Sequence, residues 1–369
     1  MARATAITAV AFFLSAAVLL SSSPLAGAAR ATPRRSANNN NKHGIPAVFA
    51  FGDSTMDPGN NNRLITLVRA DHAPYGRDFQ DGRATGRFSD GKLITDYIVE
   101  SLGIKDLLPA YHDPSLTVAE ASTGVSFASG GSGLDDLTAT TAMVSTFGSQ
   151  IGDFQQLLRQ IGSSKAADIA GKALYVLSAG TNDFAMYETL PLRAGSYPTV
   201  DQYSDYLVGK YQYYIKSLYN LGARNFMVAG LPPVGCLPMQ KTVHLQQPLI
   251  VPGGCIEGQN AAAKRYNTKL KQTLKELETD SPGSTFAYVD VYGPLKDMAA
   301  NPRKYGFTQT ERGCCGTGLV EMGELCASMM PQCPSPAQYM FFDSVHPTQA
   351  TYKALADQIV QSQMPKFVK

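Results

Sequence analysis

A serine hydroxyl becomes a nucleophile only when a neighbouring base takes its proton. The 369-residue chain has five histidines that could be that base: His43, His72, His112, His244 and His346. His346 follows Asp343 by three residues in Asp343-Ser344-Val345-His346-Pro347. That spacing places imidazole and carboxylate on one side of a turn, where the acid can fix the histidine tautomer and stabilise the imidazolium. The serine is Ser54, in Gly52-Asp53-Ser54, directly after an apolar run. An acyl transfer also needs donors for the oxygen of its tetrahedral intermediate. The backbone amides of Ser54 and Gly130 and the side-chain amide of Asn182 would supply three, each worth ~3–4 kcal/mol. Singly these signals are weak. Gly-Asp-Ser is a common turn tripeptide, Asn182 and Asp343 could cap helices, and a lone histidine is usually structural. Their joint order along the chain is what fits one mechanism.

Other polar residues are assigned quieter roles. Asp53 and Asp183 are expected to accept bonds from backbone amides and shape their turns. His72 and His112 lie in polar stretches (RADHAPYG and AYHDPS) and are read as surface residues. The Gly-rich run 129–133 lacks the lysine of a phosphate loop. The cysteines show no CxxC spacing, so no metal site is expected, and the mechanism needs no cofactor.

These residues need strand ends to hold them. Five short apolar segments are candidate strands: 45–51 (IPAVFAF), 124–128 (GVSFA), 173–178 (ALYVLS), 226–229 (FMVA) and 286–289 (FAYV). Their lack of polar alternation suits strands covered on both faces, as in a parallel sheet. Between them, apolar residues at helical spacing predict helices over 92–102, 149–161, 200–221, 260–277 and 349–360. Strand alternating with helix implies an α/β domain, and ligands in such sheets bind beyond the carboxyl ends of the strands. Ser54, Gly130 and Asn182 each follow one of these segments.

The N-terminus reads as a signal peptide over 1–28: Arg3, an apolar run from Ile7 to Leu20, and a small-residue pattern at Ala26-Gly27-Ala28. The run is shorter than the ~20 residues that span a bilayer, so no stable membrane insertion is expected. A basic tail without Asp or Glu is read as disordered over 29–44, and 45–369 as a single domain. Residues 1–42 hold five of the 32 Lys and Arg, so 27 basic residues face 30 acidic ones in the body, a net −3. That balance excludes nucleic acid as a partner. Six cysteines suit a secreted protein of the extracellular space or cell wall. Cys314 and Cys315 sit too close to pair with each other. Cys236 with Cys255 is a plausible local bridge, and the other four would clip the stretch after 313. There is no Asn-x-Ser/Thr sequon.

Phe51-Gly52-Asp53-Ser54-Thr55-Met56-Asp57-Pro58-Gly59-Asn60-Asn61 resembles the first block of the plant GDSL esterases/lipases, of the SGNH hydrolase superfamily. Supporting stretches are 74–79 (PYGRDF), 85–91 (TGRFSDG), 127–131 (FASGG), 180–183 (GTND), 314–318 (CCGTG) and 342–348 (FDSVHPT). The likeness runs from 45 to about 362 and looks closest to an extracellular lipase-like branch associated with anthers and pollen. It implies a flavodoxin-like SGNH hydrolase fold: a five-stranded parallel sheet with helices on both faces. It also implies a secreted serine ester hydrolase that forms an acyl-enzyme, with Ser54, His346 and Asp343 as the triad and Ser54, Gly130 and Asn182 as the oxyanion hole. The chain departs from the family pattern at Thr55, in place of Leu, where only a packing effect is expected. It departs again at Ser126, in place of Asn, which alters local hydrogen bonding. The substrate is an ester of an acyl lipid or, alternatively, an acetylated cell-wall polysaccharide; a third reading is a non-catalytic accessory protein, and a monomer is expected. The segment 246–254 (QQPLIVPGG) could form an apolar flap, and the absence of Trp tilts toward acyl substrates.

Overall fold

The structure is a computed structural model that describes residues 44–187, 191–243 and 254–368, all within one compact unit. The signal peptide, the basic tail up to residue 43, His43, His244 and all but the last residue of the 246–254 segment lie outside the described residues.

Five strands form one parallel sheet: β1 (Val48–Gly52), β2 (Gly124–Ser126), β3 (Leu174–Ser178), β4 (Asn225–Ala229) and β5 (Thr285–Val289), in the order β2-β1-β3-β4-β5. These are the five segments expected from their apolar runs, and the order is the flavodoxin-like one. The strands are buried on both faces, and each face has its own chemistry. On one, Phe49, Tyr175, Phe226 and Phe286 stand in register across β1, β3, β4 and β5. Neighbouring rings along this row lie 5.7, 5.6 and 4.8 Å apart. Such cross-strand aromatic pairs fix register, because a one-residue slip would turn every ring to the other face. Helix Phe147–Ile161 closes this side by setting Phe154 against Phe49 and Tyr175, at 5.0 and 5.6 Å.

The opposite face carries smaller side chains, Val176, Met227 and Val289, which line a cavity with Ile94 and Ile98 of helix Ile94–Ser101 and Leu355 and Ile359 of helix Gln349–Ser362. Helices Val200–Asn220 and Glu257–Asp280 pack on one another. Caps set where several helices begin. Thr146, Thr199 and Thr348 each accept a bond from a backbone N–H three residues on, which satisfies a donor the first turn leaves unpaired.

A second, two-stranded sheet pairs β6 (Gln309–Gly313) with β7 (Tyr339–Phe341), and the sequence reading missed it. Between these strands lies a loop region clipped by Cys314–Cys333 and Cys315–Cys326, while Cys236–Cys255 forms the expected local bridge. Among the described residues no cysteine is free and no helix is long and apolar enough to cross a membrane.

Candidate active site at the carboxyl end of the sheet

The chain leaves β1, pairs β2 on one side, then returns to β3 on the other. The crevice therefore opens beyond the carboxyl ends of β1 and β3. Gly52 ends β1 with φ +146°, and a Cβ there would stand 1.9 Å from the Ser178 carbonyl oxygen of β3. Only glycine permits that approach, and it turns the next residues out of the sheet. Asp53 N–H donates to Ser178 O at 3.2 Å, and Asp53 Oδ1 accepts the Thr55 N–H and hydroxyl at 3.0 and 2.8 Å. Asp53 thus shapes the turn, as expected. Thr55 does more than pack, which corrects the sequence reading: its hydroxyl satisfies a carboxylate whose pKa burial raises.

Ser54 and His346 are separated by 292 positions, yet Ser54 Oγ lies 2.7 Å from His346 Nε2. His346 Nδ1 lies 2.7 Å from Asp343 Oδ2. Asp343 Oδ1 accepts the backbone N–H groups of Val345 and His346 at 2.8 and 2.7 Å, so the turn itself orients the carboxylate. The Phe88 ring lies against the His346 ring, with centroids 4.7 Å apart. All three polar residues are buried, which removes competing water from their bonds.

Asn182 comes from the short helix Thr181–Met186 after β3, and its Nδ2 donates to Ser132 O at 2.9 Å. This ties the β3 loop to the β2 loop and leaves the second amide proton for a ligand. Neighbouring Asp183 accepts the Leu134 and Asp135 N–H groups and the Thr138 hydroxyl, with its pKa pushed up to about 6 by burial.

Gly130 is placed differently from expectation. Its N–H donates to Asp57 Oδ2 at 2.8 Å and is therefore occupied. Residues 129–132 form a turn closed by Ser132 N–H to Ser129 O, with Gly131 at φ +81°, the position of a type II turn that glycine fills. The N–H groups of Ser54 and Gly131 have no acceptor among the described residues. The occupied amide could not be read from a run in which every residue offers one.

Several positioning residues escaped the sequence reading. Asp57 is fully buried and accepts from Gly59, Asn60 and Gly130; burial pushes its pKa up to about 6 against those bonds. Asn60 Nδ2 donates to Ser126 O and Ala128 O, and Asn61 Nδ2 to Val68 O and Gly130 O. Gln150 clamps Gly52, accepting its N–H and donating to its carbonyl, both at 2.9 Å, while also reaching Ser132 Oγ. A signal for Gln150 existed: it is a polar residue on the apolar stripe of Phe147, Ile151 and Phe154. Ser126, the departure noted above, donates to Met56 O at 2.7 Å and accepts from Ala128 N–H. Tyr75 donates to Asp343 Oδ2 at 2.7 Å.

The remaining histidines stand apart. His112 is exposed and lies 3.0 Å from Asp153. His72 is half-buried, edge-on to Tyr75 with centroids 5.5 Å apart. No group of His, Cys, Asp and Glu among the described residues could hold a metal ion.

A cavity partly open to solvent is lined by Ser54, Asn182 and His346. It runs between the sheet and helices Ile94–Ser101, Tyr292–Ala300 and Gln349–Ser362, with walls that include Ile98, Met227, Leu295, Val345 and Leu355. Ser54, Asn182 and His346 bring polar groups to a lining that is mostly apolar.

Residues 48–359 match the model of the GDSL-like lipase/acylhydrolase family. One GDSL esterase/lipase of Arabidopsis thaliana is 45% identical over 329 residues, covering 87% of this chain and 90% of the relative. A second from the same plant is 44% identical, covering 86% and 89%, and a third is 42% identical, covering 88% and 91%. Among solved structures, a lipase from a goat rumen metagenome reaches a TM-score of 0.37 at 12% identity, covering 87% of this chain and 99% of that one.

Proposed function

The chain belongs to the GDSL lipase/acylhydrolase family and is a carboxylic ester hydrolase; from that premise we propose that Ser54, His346 and Asp343 are its catalytic triad and that it acts on acyl esters. The observation that carries the reading is the Ser54–His346–Asp343 chain of two 2.7 Å contacts, whose Ser54 and His346 line a largely apolar cavity.

In this mechanism His346 Nε2 takes the Ser54 proton as Oγ attacks the ester carbonyl. Asp343 holds the Nδ1–H tautomer and stabilises the imidazolium. The oxyanion is met by the Ser54 N–H and the second Asn182 Nδ2–H, while the Gly130 N–H is held by Asp57. His346 returns its proton to the leaving alcohol. It then takes one from the water that attacks the acyl-enzyme, and the acid leaves as Ser54 is restored.

The acyl chain, rather than the alcohol, is assigned to the cavity. Each methylene buried there is worth ~0.8 kcal/mol, so longer chains gain until the walls are reached. An acetyl group would leave most of the apolar surface unused, which favours acyl lipids over acetylated polysaccharide. Secretion through residues 1–28 is part of the reading, supported by the three disulfides.

The test is hydrolysis of p-nitrophenyl esters from acetate to long acyl chains by wild type and Ser54→Ala. We expect turnover that rises with chain length in wild type and is lost in the variant. Preference for acetate would return the deacetylase reading. Equal rates for folded wild type and variant on every ester would refute the nucleophile.

A further inference from the structure

The triad carboxylate receives a hydrogen bond that catalysis by serine, histidine and aspartate alone does not require. Tyr75 O–H donates to Asp343 Oδ2 at 2.7 Å, the same oxygen that lies 2.7 Å from His346 Nδ1. The Tyr75 oxygen in turn accepts the Gly323 N–H at 2.8 Å. Gly323 lies in the loop closed by Cys315–Cys326. The Tyr75 ring is fully buried, with Phe342 at 5.3 Å and Phe88 at 5.9 Å, and Phe88 itself packs on His346.

We propose that Tyr75 is a positioning residue for the ester hydrolysis: its O–H fixes Asp343 Oδ2 in line with His346 Nδ1 and withdraws charge from it, and the disulfide-closed loop fixes Tyr75 through Gly323. Two features make the assignment more than packing. First, Asp343 Oδ1 is fully engaged by the Val345 and His346 amides. Those bonds hold the carboxyl by one oxygen, and the Tyr75 bond holds it by the other, the one that meets the imidazole. Second, a donor shared with the imidazole on one oxygen acts on the electronics of that oxygen, as hydrogen bonds to a charged group do. Burial and the facing Asp343 both keep the phenol protonated, so it remains a donor across the working pH range. The other ionisable groups near this cluster are Asp53, facing His346 from the β1 loop, Tyr352 near Asp343, Asp90 near Tyr352, and His72 and Glu324 near Tyr75. None of these is altered by a change at position 75.

The inference rests on the triad reading, and Ser54→Ala in the same assay tests that reading separately. The experiment compares kcat, KM and the pH profile of kcat for wild type and Tyr75→Phe on a p-nitrophenyl ester. The expected result is a ~10-fold loss of kcat with KM unchanged. The acid limb should also move to higher pH, because the carboxylate keeps more charge and holds the imidazole proton more tightly. A kcat loss with an unmoved limb would reduce Tyr75 to a packing role, and wild-type kcat with a wild-type limb would remove any role; either overturns the proposal. Should Tyr75→Phe fail to fold, 3-fluorotyrosine placed at position 75 keeps the shape and donates more strongly. It is expected to move the acid limb to lower pH, and an unmoved limb there overturns the proposal equally.

Discussion

Asp57→Asn separates the charge of a buried carboxylate from its shape. In the wild type Asp57 Oδ1 accepts Gly59 and Asn60 N–H at 2.8 and 2.6 Å, and Oδ2 accepts Gly130 N–H at 2.8 Å. Asparagine can keep the first pair through its carbonyl. Its NH₂ then faces the Gly130 N–H, donor against donor. Leaving that buried amide unpaired costs about 1–3 kcal/mol. Against this stands relief of a buried charge. Burial lifts the Asp57 pKa from 3.8 to about 6, so the folded protein binds more protons than the unfolded chain between those values. The stability this group contributes is complete below 3.8 and is lost as pH rises through about 6. At 1.36 kcal/mol per pH unit the loss comes to about 3 kcal/mol. The variant has no such loss. Wild type should therefore be the more stable near pH 4, and the variant should draw level or pass it by pH 8. Asp90 and Asp183, with pKa values raised to about 7 and about 6, add similar slopes. Both proteins carry them, so they cancel in the difference. The assay is urea denaturation followed by far-UV circular dichroism, since the chain has no Trp. In parallel, kcat should fall ~10-fold or more as the 129–132 turn moves and takes an oxyanion donor with it. A stability difference that stays flat with pH would refute the charge argument. Unchanged kcat would refute the claim that Asp57 holds the turn for catalysis.

Two further changes probe the scaffold and the cavity. Gly52→Ala forces a Cβ to within 1.9 Å of the Ser178 carbonyl; a loss of at least ~3 kcal/mol in unfolding free energy, read from urea denaturation, is expected, and an unshifted midpoint would show that β1 and β3 can part without cost. Ala229→Phe places a ring on the cavity wall; kcat/KM on a decanoyl ester should fall ~10-fold or more while an acetyl ester stays within ~3-fold, and equal losses on both would move the acyl chain out of this cavity.

Residues that do chemistry and residues that hold them in place differ in how far the sequence reveals them. The five strands were legible because both faces are covered, so each reads as a short, mainly apolar run, most of them bounded by Gly, Pro or Asp. The row of Phe49, Tyr175, Phe226 and Phe286 was visible as composition but not as register, which depends on pairing across strands. β6 was illegible for the opposite reason: Gln309–Gly313 reads QTERG and is mostly solvent-facing, so it has no apolar signature. Cysteine geometry excluded the Cys314–Cys315 bond. It could not choose among the remaining partners, because the nested pairs Cys314–Cys333 and Cys315–Cys326 depend on how the loop between them folds.

The same distinction governs the site. Ser54, Asn182, Asp343 and His346 sit at strand ends or in one local turn, so their types and order suffice to nominate them. The supporting network is made of long-range partners whose types are ordinary. Gly130 N–H meets Asp57 across 73 positions, Gly52 N–H meets Gln150 across 98, and Tyr75 meets Asp343 across 268. No local pattern encodes those distances, and this is why the sequence named Gly130 as a donor when its amide was already committed. The two sides of the site are also held by different means. On the oxyanion side, buried amides and the buried carboxylates of Asp57 and Asp183 fix the loops after β1, β2 and β3 to one another. On the acid side, disulfides brace the loop that holds Tyr75. Loss of a bond on the first side should lower kcat without moving the acid limb of the pH profile, because none of those groups touches Asp343. Loss of the Tyr75 bond should move the limb, so the two kinds of support are separable by one titration of kcat.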